Sequence, residues 1–378
     1  MDSNDALLAA ARRIHADLPV VDGHNDLPWE LRKRADSNLD RADPCRHLDD
    51  YHTDIPRLAT GGVGAQFWSV FVPAWDEHPF RTTVEQIDLV HRMTDRCDRL
   101  GHADSFADVA AVRALGKTAS LMGAEGGHSI ENSLPALRTL RHLGVRYMTL
   151  THADNNDWAD SATDEPRHGG LTDFGEEVVQ EMNRIGMMVD ISHVSADTMR
   201  HALSVTTKPL MASHSGAFAL APHARNVPDD VLELIRENGG VVMVVFYTAF
   251  VGREAAKKAA GRLALGRELM KELGDEDAVD AELARRLAED PFPDVTVSDV
   301  VDHIEYIAQV AGVEHVGLGS DFDGVDVLPV GLKDVSTYPA ITVELLRRGW
   351  QEPEIRKVLG ENALRVLAAN DGPIESRK

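Results

Sequence analysis

The sequence is short of several features that would place it in a specialised class of protein. Cysteine occurs only twice, at Cys45 and Cys97, which is too few for a disulfide framework and makes a reducing compartment the simpler inference. The longest apolar run, Val241 to Val251, is well short of a membrane span and predicts a buried strand. The apolar stretch from Ala6 to Ala11 is too short and too interrupted for a secretory leader. These absences predict a cytoplasmic protein without a membrane anchor.

Positive charge is also scarce in this chain. Acidic side chains number 62 against 39 basic ones, which gives a formal net charge of −23. A surface with this charge repels the phosphates of nucleic acids and the anionic head groups of lipids. We therefore expect neither a nucleic acid nor a membrane surface among the partners of the protein.

No repeat and no linker rich in proline, glycine and serine divides the 378 residues, a length that suits one α/β barrel with insertions. Short apolar runs alternate with amphipathic helical patterns, which predicts parallel strands flanked by helices. Eight strands are predicted, at Pro19–Asp26, Ala65–Val72, Ala119–Glu125, Tyr147–His152, Met187–His193, Pro209–His214, Gly240–Phe246 and Val316–Asp321. Eight such units predict one TIM-like (β/α)8 barrel domain over residues 1–378. An open doubly wound sheet is the alternative, but no G-x-G-x-x-G segment follows an early strand.

The helical patterns carry start and stop signals of their own, such as Asp229 and Asp230 after Pro228 and the pair Gly239–Gly240. Helices are predicted at Leu134–Leu143, Phe174–Ile185, Ala196–Ser204, Asp229–Asn238 and Val297–Val310. A charged, helix-prone segment at about 252–290 predicts a helical insertion before the last barrel helix. The region from Pro339 to Ala369 predicts a terminal helical pair on the outside of the barrel.

Residues of metal-ligand type close several of the predicted strands. In a barrel of parallel strands the carboxyl ends meet at one face, where the active sites of this fold lie. His24 and Asp26 close the first strand two residues apart, so in extended backbone they project to the same side. Later strands close on Glu125, His193, His214 and Asp321. A single histidine is usually a surface or core residue, but imidazoles and carboxylates that converge from separate strands predict a divalent metal site.

Longer segments around these residues resemble the signature segments of the membrane (renal) dipeptidase family, metallopeptidases of the amidohydrolase-like barrel superfamily. The resemblance extends in order from about Pro19 to Asn362 and ends in Gly360-Glu361-Asn362-Ala363-Leu364-Arg365. The matching segments are Asp22-Gly23-His24-Asn25-Asp26-Leu27-Pro28-Trp29, Glu125-Gly126-Gly127-His128, Thr151-His152, Asp190-Ile191-Ser192-His193, Ser213-His214-Ser215, Ala224-Arg225-Asn226-Val227-Pro228-Asp229 and Gly319-Ser320-Asp321-Phe322-Asp323-Gly324. Several of them are long and specific to that family.

The resemblance implies a zinc metallopeptidase that hydrolyses small dipeptides and holds two Zn²⁺ per chain. By similarity, His24 and Asp26 would bind one zinc ion. His193 and His214 would bind the other, and Glu125 would bridge both. A hydroxide that bridges the two ions would be the nucleophile. The implied substrates are dipeptides with a free C-terminal carboxylate, with a D-residue tolerated at the second position.

Three more roles follow from the resemblance. Asp321 would take the proton of the attacking water and pass it to the leaving amine. His152 would face the substrate and donate to the developing oxyanion, with an ordinary strand-end hydrogen bond as the structural alternative. Arg225 would pair with the substrate's C-terminal carboxylate, although its position alone is equally compatible with a surface arginine.

Two other functions stay open at this point. One is another two-metal barrel amidohydrolase, acting on a lactone, a cyclic amide or a phosphoester. The other is a non-catalytic member that keeps the fold and binds metal, which the complete set of ligand residues disfavours. Unlike animal members, the sequence lacks a secretion signal, a cysteine framework and a hydrophobic C-terminal tail, so attachment to a membrane is not expected. A homodimer stays open as the assembly state, and so do the side chains that the enzyme prefers.

Overall fold

The computed structural model describes residues 3–372, and within them nine β-strands pair in parallel. The strands are β1 (Val20–Asn25), β2 (Val63–Phe71), β3 (Leu100–His102), β4 (Thr118–Glu125), β5 (Val145–Thr149), β6 (Met188–Asp190), β7 (Met211–Ser215), β8 (Val241–Val244) and β9 (Val316–Leu318). All eight predicted strands are present, and six of them end before the predicted carboxyl end. β4 ends at Glu125 as predicted, and β7 extends one residue further than predicted.

Eight of these strands close into a barrel. β1 pairs with β2 and β9, the strands from β4 to β9 pair in succession, and a pairing of β2 with β4 completes the ring. The predicted TIM-like (β/α)8 barrel is therefore confirmed. β3 was not predicted, because three residues are too few to show an alternating pattern; it pairs with the first residues of β4 and lies beside the ring.

The barrel interior is filled by alternate side chains of the strands. Val21, Phe67, Leu121, Tyr147 and Met243 belong to one buried cluster that several strands share. Packing of this kind makes the interior a solid core, so that a ligand can enter only at an end of the barrel. Residues that follow this core towards the carboxyl ends of the strands form the floor of any site there.

Sixteen α-helices connect and flank the strands of residues 3–372. They are α1 (Ser3–Asp17), α2 (Leu27–Ala35), α3 (Ile55–Gly61), α4 (Pro79–Arg96), α5 (Phe106–Ala114), α6 (Leu134–His142), α7 (Asp173–Ile185), α8 (Ala196–Val205), α9 (Asp229–Asn238), α10 (Thr248–Val251), α11 (Arg253–Leu273), α12 (Glu276–Glu289), α13 (Val297–Ala311), α14 (Pro339–Arg347), α15 (Glu352–Arg356) and α16 (Asn362–Asn370). The five predicted helices are confirmed as α6, α7, α8, α9 and α13. Their ends follow the expected chemistry: the Thr172 hydroxyl caps the start of α7, and Gly186, with φ +71°, ends it.

The segment between α10 and α13 is occupied by two helices, α11 and α12, and α11 reaches back to the barrel. Its Arg262 pairs with Asp326, 2.8 Å away, in the loop after β9. Its Arg267 donates to the Thr163 carbonyl in the loop after β5. Both partners follow the carboxyl ends of strands, so α11 lies over the end of the barrel where the polar residues gather.

The prediction for the C-terminal region was wrong in its packing. Instead of a helical pair on the outside, residues 339–370 form α14, α15, a π-helical turn (Lys357–Glu361) and α16. Val366 and Leu367 of α16 are buried in the same cluster as Val21 and Phe67 of the barrel interior. Asn370 Nδ2 donates to the carbonyl of Pro209, just before β7. α16 therefore closes the amino-terminal opening of the barrel, which local periodicity could not show because its partners are distant in sequence.

The expectation about the cysteines is contradicted as well. Cys45 and Cys97 form a disulfide with a Cα–Cα distance of 5.3 Å. The bond joins the long connection between β1 and β2 to the residue that ends α4, and it spans 52 residues. In the chain-entropy account a cross-link over such a loop stabilises the fold by about 4 kcal/mol. The cysteines no longer argue for a reducing compartment, and the cytoplasmic location stays a prediction.

None of the helices within residues 3–372 combines the length and the hydropathy that a bilayer crossing requires.

Candidate metal centre

Glu125, the last residue of β4, lies at the centre of the polar cluster at the carboxyl end of the barrel. Its carboxylate is almost fully buried, and its two oxygens face different groups. Oε2 lies 3.4 Å from His24 Nε2 and accepts a 3.0 Å hydrogen bond from Ser69 Oγ. Oε1 lies 3.1 Å from His193 Nε2 and 3.6 Å from His214 Nε2. One carboxylate thus stands between two sets of side chains that could bind metal.

The first set comes from the end of β1. His24 is fully buried, and its Nε2 lies 3.3 Å from Asp26 Oδ2. That nitrogen has no hydrogen-bond partner among the described residues. Asp26 stands immediately before α2, where its backbone N–H donates to the Phe322 carbonyl and ties β1 to the chain after β9. An orphaned buried imidazole nitrogen between two carboxylates is well placed to accept a divalent cation.

The second set joins the ends of β6 and β7. His193 Nε2 and His214 Nε2 face each other at 2.9 Å, and both side chains are largely buried. Burial lowers the pKa of both histidines well below the usual value, which favours neutral rings. His193 also adopts φ +67°, an uncommon backbone conformation for this residue, and such strain concentrates at functional sites.

These residues divide into overlapping groups whose possible ligand atoms lie within 4.8 Å of one another. One group is His24, Asp26 and Glu125, and another is Glu125, His193 and His214. They are the two ligand sets predicted from the sequence, with Glu125 in both. A third group joins His24, His214 and Asp321, so Asp321 lies beside both sets.

The electrostatics of the cluster suit cations. Three buried carboxylates, Asp26, Glu125 and Asp321, converge here. Burial, followed by the neighbouring Asp26 and Glu125, raises the pKa of Asp321 to about 8 against the opposing charge of His24. Burial opposes ionisation of Glu125 too, but His24 and His193 hold its pKa well below the usual range. Buried carboxylates in this number are stable when they bind metal or are paired, so the residues present fit a pair of divalent ions.

His152 lies next to this cluster, just beyond the end of β5. Its ring is 4.4 Å from the ring of His193 and 4.6 Å from that of Phe71. A quarter of the side chain is exposed, and its Nε2 stays 4.0 Å from Glu125 Oε1. Burial lowers the pKa of His152 to about 4, so the ring is neutral near pH 7. A neutral, partly exposed imidazole at the rim can offer an N–H to a ligand.

Arg225 lies in the loop between β7 and α9 and is only 2% exposed. Neither Nη1 nor Nη2 has a hydrogen-bond partner among the described residues. Its guanidinium carbon lies 5.2 Å from the centre of the Phe250 ring. Burial lowers the pKa of Arg225 to about 10, although Asp321 and Glu125 act in the opposite direction. A buried guanidinium with two free terminal nitrogens can donate two hydrogen bonds to a carboxylate.

The structure therefore brings all eight predicted site residues to one end of the barrel. Four further residues that contact this cluster were not predicted from the sequence: Tyr147, Asp190, Ser213 and Gly324. Tyr147 contacts His24 Nδ1 at 2.8 Å, and Asp190 is linked through Ser213 to His214 Nδ1. At Gly324 a Cβ atom would lie 2.3 Å from Asp26 Oδ2, which requires a residue without a side chain. The signal for Asp190 was a carboxylate in an apolar strand, which needs partners wherever it is buried.

A family model described as membrane dipeptidase (peptidase family M19) matches residues 8–373 of the chain. The dipeptidase verJ of Clonostachys rogersoniana is 40% identical over 377 residues, covering 96% of this chain and 87% of its own length. The dipeptidase aclJ of Aspergillus oryzae is 42% identical over 363 residues, with 93% and 78% covered. Among solved structures, dipeptidase AC, a metallo peptidase of family M19, is similar at a TM-score of 0.77 and 25% identity. That similarity covers 93% of this chain and 98% of the other.

Proposed function

Because this chain belongs to the membrane dipeptidase family of metallopeptidases, peptidase family M19, we propose that it is a dinuclear zinc dipeptidase acting on dipeptides with a free C-terminal carboxylate. The membership makes it an enzyme that hydrolyses dipeptides. We propose three things beyond that membership. They are the identity and number of the metal ions, the residues that bind them and act in catalysis, and the recognition of the substrate carboxylate.

The observation that carries the proposal is the unpaired guanidinium of Arg225 beside the Glu125 cluster. Its positive charge contributes to the lowered pKa of His193 and of His214, which supports a position beside the second set. A buried arginine without a counter-ion is costly, and a substrate carboxylate would supply that counter-ion. A substrate held in this way has its peptide bond close to the cluster only if it is short.

The metal ions would be held by the two sets already described. His24 and Asp26 would hold one Zn²⁺, His193 and His214 the other, and Glu125, which belongs to both groups, would help to hold both. Zinc at such a site supplies polarisation of the scissile carbonyl and a lower pKa for the attacking water.

The remaining groups would bind the substrate and move protons. Arg225 binds the C-terminal carboxylate and fixes the direction of the dipeptide. His152, neutral because its pKa is about 4, donates an N–H to the carbonyl oxygen as negative charge develops on it. Asp321, which lies within reach of His24 and of His214, accepts the proton of the attacking water and returns it to the leaving amine.

The first test concerns metal content. Protein purified and dialysed with zinc should hold two Zn²⁺ per chain by elemental analysis. Removal of the ions with a chelator should abolish dipeptide hydrolysis, and added zinc should restore it. Full activity in a preparation verified to be metal-free would overturn the proposal.

A second test concerns the shared carboxylate. Glu125→Gln removes one negative charge from between the two sets and replaces a ligand oxygen by nitrogen, so we expect lower zinc content at both sites. His24→Ala removes a ligand of the first set only and is the matched control, expected to lose mainly one ion. Two ions retained by the Glu125→Gln protein would contradict the bridging role.

Tolerance of a D-residue at the second position is part of the proposal and rests on family membership. A pair of dipeptides that differ only in the configuration of the second residue tests it directly. Hydrolysis of the L,L form alone would contradict it and leave the dipeptidase assignment intact.

A further inference from the structure

Two of the proposed metal-binding histidines share an unusual support. In each, the ring nitrogen that points away from the cluster meets a hydroxyl group, and that hydroxyl meets a second acceptor. His24 Nδ1 lies 2.8 Å from Tyr147 Oη, which lies 3.1 Å from the Gly23 carbonyl. His214 Nδ1 lies 2.8 Å from Ser213 Oγ, which lies 2.6 Å from Asp190 Oδ2. A hydroxyl has one proton, so its second partner decides which form of the ring it supports.

At His214 the second partner of the hydroxyl is Asp190, whose carboxylate accepts hydrogen bonds from four donors. Oδ1 receives the backbone N–H groups of Ser192, at 3.1 Å, and Ser213, at 2.8 Å. Oδ2 receives the hydroxyls of Thr149, at 2.5 Å, and Ser213, at 2.6 Å. Ser213 Oγ also lies 3.4 Å from Ser192 Oγ, a much longer contact. The proton of Ser213 therefore goes to Asp190, and its oxygen accepts from His214 Nδ1–H.

We propose that Asp190 is a positioning residue that acts through Ser213 to hold His214 in its Nδ1–H form, and that this relay sets the zinc affinity of the second ligand set. The inference rests on the proposed two-zinc function. A ring protonated at Nδ1 presents the lone pair of Nε2 towards Glu125 and His193, which is the form a metal requires. The relay makes that form the only one compatible with all four donors on Asp190.

The proposal makes an atom-level prediction for Asp190→Asn. The two backbone N–H groups at Oδ1 can only donate, so the amide oxygen must occupy that position. The amide nitrogen then occupies the Oδ2 position and donates to the Thr149 and Ser213 hydroxyls. Ser213 must now give its proton to His214 Nδ1, which leaves the proton of the ring on Nε2, facing the metal site. Asparagine thus makes the same number of hydrogen bonds as Asp190. It reverses the donor and the acceptor in the bond between Ser213 and His214.

The neighbouring Thr149 offers a matched control. Its hydroxyl donates to the same oxygen of Asp190 as Ser213 does, and within the described part of the chain no hydrogen bond joins it to a histidine. Thr149→Val removes that donor with little change in shape and leaves the relay intact. Ser213→Ala removes the relay and leaves the other three donors to Asp190 in place. Each variant removes one hydroxyl that donates to the Asp190 carboxylate. Only the hydroxyl of Ser213 also contacts His214.

The experiment measures zinc affinity directly, by competition of Zn²⁺ alone with a chromophoric chelator, on proteins whose folding is checked by circular dichroism. We expect Ser213→Ala to weaken one of the two sites about 10-fold and Asp190→Asn about 100-fold, the range known for residues that orient metal ligands. Thr149→Val should retain the affinity of the unmodified protein. The double variant with both Asp190→Asn and Ser213→Ala should bind zinc better than Asp190→Asn, because the reversed hydroxyl is gone.

The outcomes separate the relay from the function on which it rests. Additive losses in the double variant, or equal losses for Thr149→Val and Ser213→Ala, would indicate a purely structural role for Asp190 and overturn the inference alone. If Asp190→Asn does not fold, the comparison of Ser213→Ala with Thr149→Val decides the matter. An unmodified protein that takes up no zinc would overturn the proposed function and the relay together.

Discussion

Replacing Arg225 by methionine should lower kcat/KM for free dipeptides about 100-fold and leave the zinc content unchanged. The unmodified enzyme should prefer a dipeptide over its C-terminal amide by a similar or larger factor, because the amide leaves the buried guanidinium desolvated and unpaired. A factor of 100 corresponds to about 3 kcal/mol of lost transition-state stabilisation, a reasonable value for one partner of a buried charge pair. In the Arg225→Met protein the preference for the free carboxylate should largely disappear. Steady-state kinetics with the matched dipeptide and amide measure both effects.

A control is available close to Arg225. Arg253, an exposed residue at the start of α11, donates to the Ala219 carbonyl in the same loop between β7 and α9. Arg253→Met removes a guanidinium that touches this loop without emptying the buried position, so it should keep the preference for free dipeptides. Equal kcat/KM for a dipeptide and its amide in the unmodified enzyme would remove the carboxylate clamp. Hydrolysis of neutral cyclic amides or lactones at comparable rates would then favour the broader two-metal hydrolase.

The other large effect is expected at Asp321. Asp321→Asn should reduce kcat by about 10²–10⁴, the contribution of a positioned acid–base group, while two zinc ions stay bound. Asparagine has nearly the same shape and tolerates the φ of +64° at this position, but it cannot carry a proton from the attacking water to the leaving amine. Elemental analysis beside kcat separates the two functions. Loss of an ion in this variant would make Asp321 a ligand and contradict the assigned role.

Asp323 supplies the matched control for that experiment. Its side chain is also buried, it has φ +66°, and it lies two residues further along the same loop. Its Oδ1 accepts from the backbone N–H of His52, and it belongs to none of the groups that could hold a metal among the described residues. Asp323→Asn should therefore change kcat by less than about 10-fold. Losses of equal size in both variants would show that the effect comes from the loop and not from proton transfer.

Much of the barrel was predictable because its signals are local. An apolar run that stops at a polar residue shows both the strand and its functional end, as with Val189-Asp190-Ile191-Ser192-His193. Parallel strands then bring such ends together, so the sequence alone predicts that His24, Glu125 and His214 lie at one rim of the barrel. Their roles as ligands depend on the resemblance and on the tests above.

What could not be predicted depends on contacts between distant residues. Tyr147 contacts His24 across the barrel interior, and the sequence of Val145–Thr149 contains no pattern that predicts this contact. The pairing of Cys45 with Cys97 follows from the path of the chain after β1, which no periodicity describes. β3 is too short to stand out in sequence. For Tyr147 and the cysteines the missing information is the distant partner, and for β3 it is a pattern long enough to recognise.

The position of α16 has a consequence for how the protein folds during its synthesis on the ribosome. β1 leaves the exit tunnel before the other strands, but the helix that closes the barrel beneath it is made only after all nine strands of residues 3–372. Until then the apolar side chains at that opening lack their cover, and contacts between such distant parts of a chain form slowly. The nascent barrel therefore stays open at that end until α16 has been made, and a chain interrupted before Asn362 would leave this apolar cluster without Val366 and Leu367 and exposed to other unfinished chains.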